Sequence, residues 1–288
     1  AWGLNGNYGQ YTADARSVDT FVHDRKDLTP IFSVGDRGTS GASQVSSPAT
    51  AKNVIAIGAS TTGASGTPAA GAVVNFSSLG PSLDGRVKPD LVAPGVAICS
   101  GLAEEAKNPA GPSCLSGTHA DGNSYYMSLS GTSQATAIAA GVAGLTREFI
   151  REQVGVSSPS SSLVKAAMIN GARDLGAPDI PNAAEGWGEV DLERTVLPMD
   201  GSTPLDTFVD DKKVLSPGFG LLYSFSIDPS HGLDLTLAWT DEAGSAIASQ
   251  SQARLVNNLD LVLVGPDGTE WLGNDFAQGF TTTGGSSD

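Results

Sequence analysis

A serine stands immediately before an alanine-rich apolar run in Ser130-Gly131-Thr132-Ser133-Gln134-Ala135-Thr136-Ala137. The first N–H groups of a helix lack intrahelical partners, and the positive end of the helix dipole lies there too. A negative charge developing beside Ser133 would be stabilised by both. Gly131 lets a substrate chain pass close to the backbone. A serine in front of a helix also serves as a plain N-cap, so the surrounding chain has to decide between the two roles. Chemistry further requires a base, because a protonated hydroxyl is a poor nucleophile. The chain has 3 histidines, His23, His119 and His231. His23 falls on the polar face of a helical pattern, His231 in a turn, and His119 in a polar loop that heads no apolar helix. None of them is expected to act as the base.

The elements around Ser133 follow from periodicity. Ala13, Ala15, Val18, Phe21 and Val22 recur at helical spacing within residues 12–27, as in an amphipathic helix. Residues 30–34, 52–59 and 87–96 are short apolar or β-branched runs ended by Gly or Pro, the pattern of buried parallel strands. Helices are expected over 133–152 and 162–172, the second behind a serine-rich cap. Strands alternating with helices define an α/β layer. After Pro198 the pattern changes to period two in Leu221–Ile227, Leu233–Trp239 and Leu259–Val264, which predicts an all-β sandwich. The expected division is residues 1–200 and 201–288.

Net charge is -15, from 31 acidic and 16 basic side chains, which disfavours nucleic acid and anionic lipid as partners. No apolar run reaches the ~20 residues that a membrane helix needs, and no basic-then-apolar leader opens the chain. Cys99 and Cys114 are the 2 cysteines. They form either a loop-closing disulfide in an oxidising compartment or two buried thiols.

Gly131-Thr132-Ser133, followed by Ala135-Thr136 and Ala140-Gly141-Val142-Ala143, resembles the nucleophile motif of the subtilisin-like serine proteases, GTSMATP with a downstream AG. Phe76–Pro81 with Asp84–Asp90 and Ala93-Pro94-Gly95 is similar to the segment preceding the nucleophile in that family. Pro48–Ile55 with Gly58-Ala59 is similar to the strand after its oxyanion loop, and Gly186–Val190 to its closing turn. Leu237–Asp241, Leu255–Leu261 and Gly273–Phe276 resemble the β-sandwich of the oxidatively stable alkaline subtilases. The resemblance implies an α/β fold, a parallel-sheet catalytic domain that is incomplete here, followed by a partial jelly-roll-like sandwich. It implies a secreted, monomeric serine endopeptidase acting on proteins or peptides through an acyl-enzyme on Ser133, with no catalytic cofactor. Structural calcium is expected on Asp260, Asp267, Asn274 and Asp275.

Two departures from the family stand out. Its triad Asp and His belong to DTG and HGTH motifs, and neither motif occurs in this chain. The chain is therefore expected to be a fragment, inactive alone. Asp36, in Val34-Gly35-Asp36, stands where the family has the asparagine whose amide donates to the oxyanion, and is a catalytic candidate with Ser133: ionised it would repel the tetrahedral intermediate, protonated it could donate to it. Ser33, Val34 and Gly35 resemble one wall of the specificity pocket, with Ser46 and Pro48 near its base. Those small residues imply a preference for an apolar side chain before the scissile bond. A contrasting possibility is a pseudoprotease or extracellular binding module on the same scaffold. An α/β-hydrolase elbow, Gly-x-Ser-x-Gly, is missing.

Overall fold

The computed structural model describes residues 3–63, 70–103, 113–115, 117–118, 124–176, 179–228, 230–277 and 280–283. The first helix, α1 (Ala13–Asp24), begins where Thr12 accepts a hydrogen bond from the Ala15 N–H. Its apolar stripe packs Ala15, beside Tyr11, on Ala51 and Val54. Strands β1 (Ile31–Ser33), β2 (Ile55–Ser60) and β3 (Leu91–Pro94) then form a parallel sheet in the order β1-β2-β3. Ile31 registers with Ile55, and Ile57 with Leu91.

Every residue of β2 is buried, as expected of a central parallel strand covered on both faces. Its alternation divides the core. Ile55, Ile57 and Ala59, with Leu91 and Ala93, face Ala135, Ala139 and Ala143 of α2 (Thr132–Phe149) and Val164 and Met168 of α3 (Ser161–Asn170). Ala56 on the opposite face meets Val34, Val45 and Ala49. The alanines let α2 lie close to the sheet. This helix runs into a π-helical turn, Ile150–Val154, and stops at left-handed Gly155 (φ 85°). Ser160 caps α3, as the serine-rich stretch predicted.

An antiparallel hairpin, β4 (Ile98–Gly101) and β5 (Tyr126–Leu129), leads from β3 to the start of α2. Cys99 on β4 is disulfide-bonded to Cys114, with Cα atoms 5.8 Å apart, which decides between the two expectations for the cysteines. The Gly186–Val190 turn lies along β3, with the Val92 N–H donating to Gly188 O and the Val190 N–H to Val92 O. A short helix, α4 (Leu192–Val196), and the two-residue strands β6 (Met199–Asp200) and β7 (Thr203–Pro204) follow.

The C-terminal part departs from the expected sandwich. Strands β8 (Val262–Val264), β9 (Glu270–Ala277) and β10 (Phe280–Thr283) form a small antiparallel sheet in the order β10-β9-β8. Leu221–Ile227 and Leu233–Trp239 form no strand. Their alternation gives each side chain a face, but among the described residues no second sheet covers that face, and Leu222 is 92% exposed. The C-terminal segment is nonetheless anchored to the α/β layer. Lys52 Nζ donates to Asp241 Oδ2 at 2.5 Å and to Arg254 O at 2.8 Å. The Asp241 N–H donates to Asn53 Oδ1 at 2.9 Å.

Candidate active site

The carboxyl ends of all three parallel strands converge on the start of α2, the crevice that open α/β sheets use for ligands. The Gly95 N–H, past the end of β3, donates to Ser60 O at the end of β2 (2.9 Å), and the Gly131 N–H donates to Gly95 O (2.8 Å). A side chain at position 95 would meet the Ala59 Cβ at 2.7 Å and Gly131 O at 2.9 Å. Only glycine permits that approach, which sets α2 directly over the strand ends. The backbone of Ala97 adds a bond to Ser130 Oγ at 2.9 Å.

From the end of β1 the chain turns through Gly35, at φ +95°, a conformation glycine adopts without steric cost. It delivers Asp36 opposite the helix. The turn is fastened on both sides. The Ser78 N–H donates to Gly35 O at 2.9 Å, the Arg37 N–H to Ser78 Oγ at 3.1 Å, and the Gly38 N–H to Phe76 O at 2.7 Å. The motif at Phe76–Ser78 therefore acts on the site by holding the Asp36 loop. Asp36 Oδ1 accepts from the Thr132 N–H at 2.8 Å and from Thr132 Oγ1 at 2.9 Å. Ser133, half-buried, is the second residue of α2. Its N–H belongs to the first-turn donors that a helix leaves open. The helix N-terminus and the open Ser133 N–H can together support an anionic tetrahedral centre, the Thr132 N–H being held by Asp36 and the Gln134 N–H by Gly131 O.

The other expected site residues separate into two groups. Gly35 and Gly131 border the crevice beside Asp36. Ser33, Val34, Ser46 and Pro48 are buried behind it. Val34 O accepts both the Ser46 N–H (2.8 Å) and the Ser46 hydroxyl (2.9 Å), so this pair braces the floor. Thr132, which holds Asp36, and Gln134, which lies against Gly131, are not among the expected site residues. The signal was the motif itself, whose fourth position holds Gln134 where the family pattern has Met.

Of the histidines, His23 lies on α1 with Nδ1 3.8 Å from Asp24 Oδ1, and its helix packs away from the α2 face of the sheet. His231 sits in a turn, its N–H donating to Asp228 O at 3.1 Å. His119 lies outside the described residues. Asp267 accepts from the Thr269 N–H (3.0 Å) and hydroxyl (2.9 Å), and Asp260 and Asn274 are exposed. The Asp275 side chain lies outside the described residues. Asp174, Asp179 and Glu185 form a group of three described carboxylates with oxygens within 4.8 Å of one another. Burial raises the Glu185 carboxyl, against the hydrogen bond from Asn182.

The site thus has a serine on a helix N-terminus at the carboxyl edge of a parallel α/β sheet. The chain belongs to the subtilase family, Peptidase_S8, which matches residues 1–188. It is 34% identical over 207 residues to the serine protease/ABC transporter B family protein tagA of Dictyostelium discoideum, covering 66% of this chain and 11% of that protein. It is also 34% identical over 161 residues to the serine protease AprX of Bacillus subtilis, covering 55% and 34%. The chain thus spans about a tenth to a third of the length of these relatives. Among solved structures, the prenylagaramide maturation protease PagA is 21% identical with a TM-score of 0.49, covering 68% of this chain and 58% of that one. A lanthipeptide protease is 20% identical with a TM-score of 0.48, covering 63% and 54%.

Proposed function

We propose that the chain is the nucleophile-bearing part of a serine endopeptidase that cleaves proteins or peptides through an acyl-enzyme on Ser133. The observation that carries this is the position of Ser133 on the first turn of α2, above the ends of β1, β2 and β3. Attack by Ser133 Oγ on the scissile carbonyl places the new oxyanion near the open Ser133 N–H and the positive end of the helix, where it is stabilised most. The absence of DTG and HGTH motifs from these 288 residues supports an inactive chain when purified alone. The small residues Gly35 and Gly131 support a preference for an apolar side chain before the scissile bond, against the Asp36 carboxylate that lies beside Gly131.

The Cys99–Cys114 bond supports an oxidising, secreted setting. The resemblance to the oxidatively stable alkaline subtilases supports a monomer with a structural calcium ion. The oxygen donors of Asp260, Asp267, Asn274 and Asp275 suit calcium chemically, and a melting temperature lowered by chelator and restored by calcium is the check. A second reading, a catalytically dead binding module, is favoured by one observation. Asp36 presents a carboxylate as an acceptor where an amide donor is expected.

A fluorophosphonate probe tests the choice. On the full-length protein, Ser133 is expected to be labelled, and Ser133→Ala abolishes both labelling and peptide-anilide hydrolysis. The isolated 288-residue chain is expected to do neither. Full-length protein that resists the probe supports the dead module instead.

A further inference from the structure

Asp36 is occupied. Its Oδ1 accepts two hydrogen bonds from Thr132, one from the N–H and one from the hydroxyl, so the side chain serves the helix as an acceptor, and an ionised carboxylate only accepts. Its other oxygen, Oδ2, lies 3.3 Å from the point where a Cβ on Gly131 would sit. An oxyanion formed beside Ser133 would face this carboxyl group in the place where family members present an amide, and gains nothing from it in the ionised form. A donor has to come from elsewhere if the nucleophile is to work.

Gln134 supplies one. It follows Ser133 on the same turn of α2, and its carboxamide oxygen lies 2.7 Å from the same Cβ point on Gly131. The head groups of Gln134 and Asp36 therefore border one spot, beside the nucleophile. Among the described residues no hydrogen bond holds the Gln134 carboxamide, and the residue is half-buried rather than solvated. The oxygen and NH₂ ends of a carboxamide have nearly the same shape, and a half-turn of the terminal bond exchanges them. Beside the Asp36 carboxylate the NH₂ end is the favourable one.

We propose that the Gln134 carboxamide is the side-chain donor to the oxyanion in this protein, with Asp36 reduced to a positioning residue that caps α2. The proposal rests on Ser133 being the nucleophile. As the Ser133 Oγ–carbon bond forms, the carbonyl π pair moves onto oxygen. The hydroxyl proton passes to the general base of the reaction, a histidine imidazole by the family resemblance. Gln134 Nε2 and the Ser133 N–H then donate to the oxyanion. Asp36 fixes the turn of helix from which both donors project.

The test is a double-substitution cycle in the full-length protein, with kcat and KM on a peptide anilide and the rate of fluorophosphonate labelling of Ser133 as readouts. Gln134→Met keeps the length of the side chain and its helix preference but removes the donor. It is expected to lower kcat and the labelling rate by on the order of 10²-fold, the usual loss for one oxyanion donor in serine proteases, with KM within about twofold. In an Asp36→Asn background, where the family amide is restored, the same substitution is expected to cost less than about threefold. A Gln134→Met protein that matches wild type overturns the proposal, and so does an equal loss in both backgrounds. Wild-type protein that neither hydrolyses nor labels overturns the nucleophile assignment and this proposal with it, an outcome distinguishable from the other two.

Discussion

Lys52 and Asp241 are 189 positions apart and meet at 2.5 Å, with 3% and 1% of their side chains exposed. Asp241 also accepts from the Val256 and Asn257 N–H groups at 2.8 and 2.9 Å. Lys52 makes two further bonds, to the carbonyls of Glu242 and Arg254. A buried ion pair gains little over apolar replacements of the same size, but breaking one by removing a single partner leaves an uncompensated charge. Asp241→Ala is therefore expected to cost about 3–5 kcal/mol in urea unfolding, whereas Lys52→Met combined with Asp241→Leu costs much less. Protease cuts between residues 205 and 260 should appear early in the single variant. If both proteins unfold alike, this pair is not what holds the C-terminal segment.

A second buried cluster makes stability depend on pH in two windows. Asp90 Oδ2 and Oδ1 contact Lys88 Nζ at 2.6 Å and Lys165 Nζ at 2.7 Å. Burial would raise the Asp90 carboxyl, but Lys165 and Lys88 outweigh it and hold it below the ordinary 3.8. The folded form then binds fewer protons than the unfolded chain, so stability is present above that value and lost as pH falls through the lowered one. Asp84, beside Arg86, and Asp241 are lowered as well and act in the same sense. Burial pushes Lys88 down to about 8 against the pull of Asp90. Between about 8 and the ordinary 10.5 the unfolded chain again binds more protons, so stability rises with pH across that window. Melting temperature should fall in acid and climb gently above pH 8. In Lys88→Met the acid limb should remain and the alkaline rise disappear; an alkaline rise that survives removes Lys88 as its cause.

What the sequence disclosed and what it hid both have physical reasons. The apolar runs at Ile55–Ser60 and Leu91–Pro94 were legible because a strand covered on both faces has no polar alternation to maintain. Ser133 was legible because its motif is contiguous. Leu221–Ile227 and Leu233–Trp239 misled, because period two records which way side chains point and not whether a second layer exists to receive them. The Asp36–Thr132 contact spans 96 positions, and no local pattern encodes which loop and helix terminus will meet. Val34 and Ser46 are buried and bonded to each other, which their small size alone does not disclose, since small residues suit a packed floor as well as an open pocket.

The Cys99–Cys114 bond closes a loop across a separation of 15 residues, on the hairpin that delivers Gly131 and Ser133 to the crevice. Tethering a loop of that size removes chain entropy worth about 3 kcal/mol from the unfolded state. Replacing both cysteines by serine should lower stability by about that amount, and dithiothreitol should do the same to the wild type but nothing to the variant. Denaturant curves of the four samples check this. Identical curves for oxidised and reduced wild type would show that the hairpin holds the loop unaided.

Asp36 and Thr132 form two bonds that can be separated by substitution. Thr132→Val keeps the N–H donor and the shape of the side chain but removes the hydroxyl, so one hydrogen bond of two is lost, at a net cost of about 1 kcal/mol. Asp36→Leu removes the acceptor for both and leaves the first N–H of α2 without a cap. A lost helix cap costs ~0.5–2 kcal/mol, so this variant should be the less stable of the two. Asp36→Asn retains an oxygen that can accept from Thr132 and should stay within about 0.5 kcal/mol of wild type, since only the charge at the positive end of the helix is given up. That ranking, measured by thermal unfolding, separates capping by an acceptor oxygen from stabilisation by the negative charge. If Asp36→Asn were as destabilising as Asp36→Leu, the negative charge, and not the hydrogen-bond geometry, would be what Asp36 contributes to the helix that carries Ser133.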